Sequence, residues 1–278
     1  MLKRFGLLSA LLFSIILSSL TLFSCQVFSW GKEGHRIVAH IATSHLTEQT
    51  RQQVLTLLDG KSLVQASTWA DDMRKQKTDF WKSTGRWHYI NLNAVSDFDP
   101  SNYSKFTSSK EVVPKDIYGA ILYFTEVLKR DASPHDKKQA LQFLIHFVAD
   151  VHQPLHVGRK KDRGGNNIQV TLFDKKMNLH QLWDSQLIKH QGLSYAEFAN
   201  NINTKDPQLL EQYKIATPDI WVVESFQLVQ SIYQLGNKKY KNSYVLQNTP
   251  ILKERLLQAG VRLAELLNDI FDSKHAKN

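Results

Sequence analysis

Residues 134–156 read PHDKKQALQFLIHFVADVHQPLH, and this stretch decides the fold. Pro134 suits a first helical turn, where a missing N–H costs nothing. From Leu141 to Val148 almost every residue is apolar, so the helix has no solvent face and must be a central, buried one. Pro154 ends it. His146 and Asp150 sit inside this helix four residues apart, so they share one face. Burying both is costly unless they meet partners. The stretch therefore predicts a mainly α chain with a polar site inside its core.

Reading downstream, His156 follows Pro154, and the run LHQLWD places a second His-x3-Asp pair at His180 and Asp184. Imidazole nitrogen and carboxylate oxygen are the ligands zinc accepts where no thiolate is available. Two pairs and a fifth candidate predict a multinuclear metal site. Further candidates lie upstream in WGKEGH (Trp30–His35), WADDMR (Trp69–Arg74) and WHYIN (Trp87–Asn91). A free α-amine and carbonyl at Trp30 could ligate a metal together with His35. His152, two residues beyond Asp150, points off the shared face. It reads as a surface or core histidine, as do His40, His45, His135, His190 and His275.

The remaining apolar spacing is mostly helical. Helices are expected over 34–46, 47–58, 65–75, 114–130, 134–151, 194–202, 220–235 and 251–271, with another carrying His180 and Asp184. One segment departs from this. Gly164-Gly165-Asn166-Asn167 leads into Ile168–Phe173, which alternates with period two and reads as a strand, with Asp174-Lys175-Lys176 as its turn. The fold class is a single-domain, mainly α, multi-helix fold with one small β-hairpin.

The chain opens with Lys3 and Arg4 and then an apolar run from Phe5 to about Phe23. This reads as a secretory signal peptide over 1–29, cleaved before Trp30, with the functional domain over 30–278. An uncleaved membrane anchor and lipidation at Cys25 are the competing readings, and either would bring the chain to a membrane. Cys25 is the one cysteine, so the domain over 30–278 cannot use disulfides and relies on its core or on metals. The net charge of +9 suits a polyanionic partner, although a basic exported protein needs none.

In this order, WGKEGH, WADDMR, WHYIN, HFVADVHQPLH, GGNNI and LHQLWD resemble the zinc-dependent single-strand-specific nucleases of the mung-bean type, the S1/P1 family. The six pieces span Trp30 to Asp184. The resemblance implies the phospholipase C-like helical fold and three zinc ions. One would be held by Asp71, His88, His146 and Asp150. A second would be held by the amine and carbonyl of Trp30, by His35 and by bridging Asp150, and the third by His156, His180 and Asp184. It also implies catalytic roles for Asp71, Asp150 and Arg74, with Arg74, Tyr89 and Asn91 contacting substrate. Many relatives carry aspartate where this chain has Asn91, and asparagine adds a donor.

The activity so implied is hydrolysis of single-stranded DNA and RNA to 5′-phosphorylated products, together with 3′-nucleotidase action, in a secreted or periplasmic protein needing no protein partner. A zinc-dependent phospholipase C of the same fold is the rival enzyme, though that family more often ends its ligand set with glutamate. A non-enzymatic zinc- or nucleic-acid-binding export protein is the rival from another class.

Overall fold

The computed structural model describes residues 30–108, 113–233 and 239–272. The signal-peptide segment, Cys25 and His275 lie outside the described residues. No described helix is long and apolar enough to cross a membrane.

In chain order the longer elements are α1 (Lys32–His45), α2 (Glu48–Leu57), α3 (Leu63–Ala66), α4 (Trp69–Arg74), α5 (Ile117–Lys129) and α6 (Pro134–Val151). Two strands of a three-stranded sheet, joined later by residues 239–240, and an irregular helical segment follow. Then come α7 (Tyr195–Ile202), α8 (Pro207–Lys214), α9 (Pro218–Tyr233) and α10 (Asn242–Phe271). The central helix α6 starts and stops where the sequence predicts. Ser133 caps it, its hydroxyl accepting from the Asp136 N–H at 3.1 Å, and everything from Ala140 to Val151 is buried. Phe143 and Phe147 stack on each other at 5.3 Å, and Phe143 stacks on Phe124 of α5 at 4.7 Å. These ring contacts clamp α5 against α6. On the other side α1 crosses α10 closely. A Cβ on Gly260 would lie 2.5 Å from Ile41, so only glycine allows this approach.

The structure departs from expectation at five points. The helix expected over 65–75 is broken between α3 and α4 at Ser67 and Thr68. The break turns the Ser67 carbonyl out of the helical ladder and toward His146 Nδ1, 2.8 Å away. The helix expected from Ile251 begins at Asn242 and runs through Pro250. Burial of Tyr244, Val245 and Asn248 outweighs the backbone hydrogen bond that proline removes. The hairpin is part of a larger sheet: β1 (Gln169–Leu172) pairs antiparallel with β2 (Lys175–Asn178) and parallel with β3 (Lys239–Tyr240). Two residues are too few to show a period of two, so β3 was invisible. The turn lies at Phe173-Asp174, both at positive φ (44° and 68°), so Lys175 and Lys176 are strand residues. Helix α8 was not expected at all. Its apolar positions are few, and Asp206 and Pro207 were its main start signal.

His152 belongs to the core, not to the metal cluster. Its Nδ1 donates to the Val148 carbonyl (2.7 Å), while its Nε2 accepts from Arg262 (3.0 Å). Glu224 on α9 accepts from Arg255 at 2.8 Å and from both terminal nitrogens of Arg262 at 2.5 and 2.8 Å. Arg255 also donates to the His152 carbonyl and to Ser225, whose hydroxyl bonds the Val151 carbonyl. This buried network holds the C-terminal end of α6 in place.

Candidate metal centre

The ends of several elements converge beside α6. Helix α1 brings His35, α4 brings Asp71 and the 3-10 turn Thr84–His88 brings His88. Helix α6 brings His146 and Asp150, and the 3-10 turn Pro154–Val157 brings His156. Beyond the sheet, the α-helical turn Leu179–Gln181 brings His180 and the π-helix Leu182–Gln186 brings Asp184. The five histidines, Asp150 and Asp184 are all buried.

Asp150 sits at the hub. Its Oδ1 is 3.2 Å from His35 Nε2, and its Oδ2 is 3.0 Å from His88 Nδ1 and 3.3 Å from His146 Nε2. His156 Nδ1 approaches Oδ1 at 3.6 Å. Asp184 Oδ1 lies 3.5 Å from His156 Nε2, and its Oδ2 lies 3.3 Å from His180 Nε2. The side chains form three groups whose ligand atoms lie within 4.8 Å of one another. They are His35 with His146 and Asp150, Asp71 with His88 and His146, and His156 with His180 and Asp184. His146 thus belongs to two groups.

The ring tautomers follow from the outer bonds. The Nδ1 atoms of His146, His156 and His180 donate to the carbonyls of Ser67, His88 and Gly164 at 2.8, 2.7 and 2.6 Å. With Nδ1 carrying the proton, Nε2 presents a lone pair to the cluster, as a metal ligand requires. His88 Nε2, His156 Nε2 and Asp184 Oδ2 are buried without a hydrogen-bond partner. Buried acceptors that face one another need a cation between them. The donor set is nitrogen and oxygen without sulfur, which fits zinc among the common metals.

The electrostatics agree. Burial, helped by the charge of nearby His35, pushes His146 down to about 3, so it is neutral. Burial pushes the Asp184 carboxyl up to about 8. Burial also opposes ionisation of Asp150, yet the surrounding His146 and His156, with hydrogen bonds from His35 and His88, hold its carboxyl well below the usual range.

Trp30 is fully buried, and its backbone is hydrogen-bonded to His35. Arg74 lies 3.7 Å from Asp71 and packs over Gly85, where a Cβ would come within 3.3 Å of the guanidinium. Tyr89 and Asn91 are half-buried and flank a ladder in which Ile90 and Leu92 donate to His156 and Gly158. The Asn91 Oδ1 is buried without a partner. Asp72 stays outside the cluster, paired with Lys75 and Lys32.

Sequence reasoning missed Gln153, which is fully buried. Its Nε2 donates to Asp184 Oδ1 at 2.6 Å, and its Oε1 accepts from the Leu155 N–H. The signal available was a glutamine inside the metal-ligand run itself, between Asp150 and His156. Gly164 is likewise constrained. Its φ is +61°, and a Cβ there would lie 2.2 Å from the Leu155 carbonyl, so only glycine can present its own carbonyl to His180.

Residues 30–272 match the S1/P1 Nuclease family. Endonuclease 2 of Arabidopsis thaliana is 32% identical over 272 residues, covering 88% of this chain and 92% of its own length. Nuclease S1 of Aspergillus oryzae is 26% identical over 291 residues, covering 91% and 96%. Nuclease P1 of Penicillium citrinum is 26% identical over 279 residues, covering 89% and 100%. With one match over nearly the whole described chain and full-length relatives, the protein belongs to the S1/P1 nuclease family.

Proposed function

We propose that the protein is an exported, trinuclear-zinc phosphodiesterase. It hydrolyses single-stranded DNA and RNA to 5′-phosphorylated products and removes phosphate from 3′-nucleotides. The observation that carries this reading is the Asp150 hub, whose carboxylate lies within 3.6 Å of His35, His88, His146 and His156, while His146 belongs to two of the three ligand groups. Endonuclease and nuclease relatives covering most of the chain favour it over the phospholipase and binding-protein readings.

In this reading residues 1–29 are a signal peptide and 30–278 the enzyme, secreted or periplasmic. Asp71, His88, His146 and Asp150 hold one zinc. Trp30, His35 and Asp150 hold a second, and His156, His180 and Asp184 hold the third. When bound, the ions lower the pKa of water toward neutrality and offset charge growing on phosphate oxygens. The protein's own part is to fix that constellation. Backbone carbonyls lock three imidazoles in the ligating tautomer, and Gln153 orients Asp184. Arg74 supplies a planar pair of donors to the scissile phosphate, and Asp71 keeps it aimed. Tyr89 gives an unstacked base a ring to lie on, and only single strands offer such a base cheaply. Asn91, two residues on, contacts the same base through its side-chain amide.

Cleavage before Trp30 matters chemically, because an amide nitrogen is a poor zinc ligand and a free amine is a good one. The test combines intact mass, zinc content and digestion of single-stranded DNA on the natively exported protein. The expected result is a mass starting at Trp30, about three zincs, and chelator-sensitive digestion. Retained leader residues with full zinc and full activity would sink the N-terminal ligand claim. Release of phosphocholine from lecithin with no nucleotide release would replace nuclease with phospholipase.

A further inference from the structure

Asp162 is a buried carboxylate outside the proposed ligand set, in the loop between His156 and His180. Its Oδ1 accepts from the Gly165 N–H at 2.8 Å and from the Tyr233 hydroxyl at 2.7 Å. Its Oδ2 is buried and has no hydrogen-bond partner. Tyr233 is the last residue of α9. Its hydroxyl is also hydrogen-bonded to the Arg159 backbone, and the Arg159 guanidinium lies 4.2 Å over its ring. A helix end thus pins the carboxylate inside the loop.

The Gly165 N–H belongs to the same peptide group as the Gly164 carbonyl, and that carbonyl accepts from His180 Nδ1 at 2.6 Å. One peptide therefore has a carboxylate at its N–H end and a ligand-candidate imidazole at its C=O end. Hydrogen bonds in a chain polarise one another, and low local dielectric strengthens each of them. Negative charge at the N–H shifts electron density toward the carbonyl oxygen, which then pulls harder on the His180 proton. The Nε2 lone pair becomes more basic, as it does when a carboxylate bonds a ligating histidine directly.

The loop is shaped to present this peptide edgewise. Arg163, Gly164 and Gly165 all have left-handed φ, at 57°, 61° and 81°. A residue such as Arg163 keeps that conformation only where its surroundings over-determine it. Here the Gly164 N–H donates to the Arg159 carbonyl at 3.0 Å, and the Asn167 N–H donates to the Asp162 carbonyl at 3.1 Å.

We infer that Asp162 is the outer carboxylate of a carboxylate–peptide–histidine relay that strengthens the metal position of His156, His180 and Asp184. Tyr233 holds the carboxylate in place. Asp162 is a positioning residue, acting through His180. The inference rests on the zinc reading above.

The test measures metal affinity on the natively exported protein by titration with a competing chelator, and cadmium NMR on the cadmium-substituted form. The variants are Asp162→Asn and Tyr233→Phe. Asp162→Asn keeps an acceptor for both donors but removes the charge. It should weaken one of the three metal positions about tenfold or more and shift one cadmium resonance, with the other two at parent values. Tyr233→Phe loosens the loop but leaves the charge, so it should lower Tm and change the affinity of that position much less. Asp162→Ser, whose hydroxyl can still accept from the Gly165 N–H, makes the same test if Asp162→Asn does not fold.

Unchanged affinity at all three positions without the Asp162 charge overturns the relay, and so does an equal loss at all three. A loss from Tyr233→Phe as large as that from Asp162→Asn overturns it too, leaving Asp162 as a loop anchor alone. A parent protein that binds no metal overturns the zinc reading, and the relay falls with it.

Discussion

Two polar clusters are buried near the C-terminal end of α6, and they are built on opposite principles. The cluster around Glu224 is complete. One carboxylate meets two guanidinium groups, and His152, Ser225 and backbone carbonyls take up the remaining donors. The cluster around Asp150 gathers lone pairs, with ring nitrogens of His88 and His156 left over, and Arg74 touches it at the rim, 3.7 Å from Asp71. A completed network is architecture, whereas one whose buried lone pairs converge is a binding site. Both types look alike in sequence, as His, Asp, Glu and Arg on apolar helices. Partner inventory separates them, and residue type alone does not.

The sharpest way to break that distinction is to alter each hub. Asp150→Asn keeps size and shape but removes the shared charge. It should cost about 10⁴-fold in kcat on single-stranded DNA, the scale seen when one member of an interdependent catalytic unit is lost, and bound metal should fall with it. Near-normal turnover with intact metal content would show that Asp150 is not the hub. Glu224→Ala should act on stability instead. It strands Arg255 and Arg262 in the core, which typically costs about 3–5 kcal/mol. Because burial around the pair is incomplete, with Glu224 29% exposed, the lower end applies. Urea unfolding should show the loss, while metal content of the folded fraction stays at the parent value. Metal loss in the folded fraction would mean that the two clusters are one unit.

Gln153 sits between the two, with its backbone N–H on the Asp150 carbonyl and its side chain on Asp184. An outer partner of a ligand usually accounts for 10–100-fold in affinity or activity. Gln153→Ala should therefore lower activity about tenfold or more and weaken one metal position selectively, which titration with a chelator would resolve. No change in the titration would reduce Gln153 to a loop-packing residue.

The sequence carried much of the fold because its strongest signals were local. Helix α6 runs from Pro134 to Val151, its capping serine, proline and apolar run all agreeing. The ligand candidates were legible for a similar reason, since His-x3-Asp spacing projects directly onto one helix face. What could not be read depends on partners far away in the chain. The break after Ala66 makes sense only once His146 needs the Ser67 carbonyl, 79 residues away. Helix α10 passes through Pro250 only because tertiary packing covers Tyr244 and Val245. His152 could be excluded by its spacing, but nothing local revealed Arg262, 110 residues on.

The smallest expected effect separates the clusters by the sign of their pH response in metal-free protein. Burial raises Glu224, but hydrogen bonds and charge from Arg262 and Arg255 outweigh it and leave its pKa lowered. Its stabilisation is fully present above the ordinary pKa of 4.5 and is lost as pH falls through the lower folded value. Asp184 is the reverse case, pushed up to about 8 by burial. Its folded form keeps a proton that the unfolded chain gives up near 3.8, so its contribution is lost as pH rises from there through about 8. Below 6.5 that loss is opposed by neutral, buried His88, His146 and His156, whose protonation in the unfolded chain favours unfolding in acid. Above 6.5 those histidines are neutral in both states and Asp184 acts unopposed. It is joined by His35, for which burial is outweighed by the hydrogen bond and charge of Asp150, so that its raised pKa makes its contribution fade in the same direction. Thermal unfolding of chelated protein should therefore show Tm falling between about pH 6.5 and 8, and saturating zinc should abolish that limb while leaving the Glu224 limb in acid. A metal-free Tm that is flat or rising across that interval would mean that Asp184 is ionised and satisfied within the protein, and that its group is architecture after all.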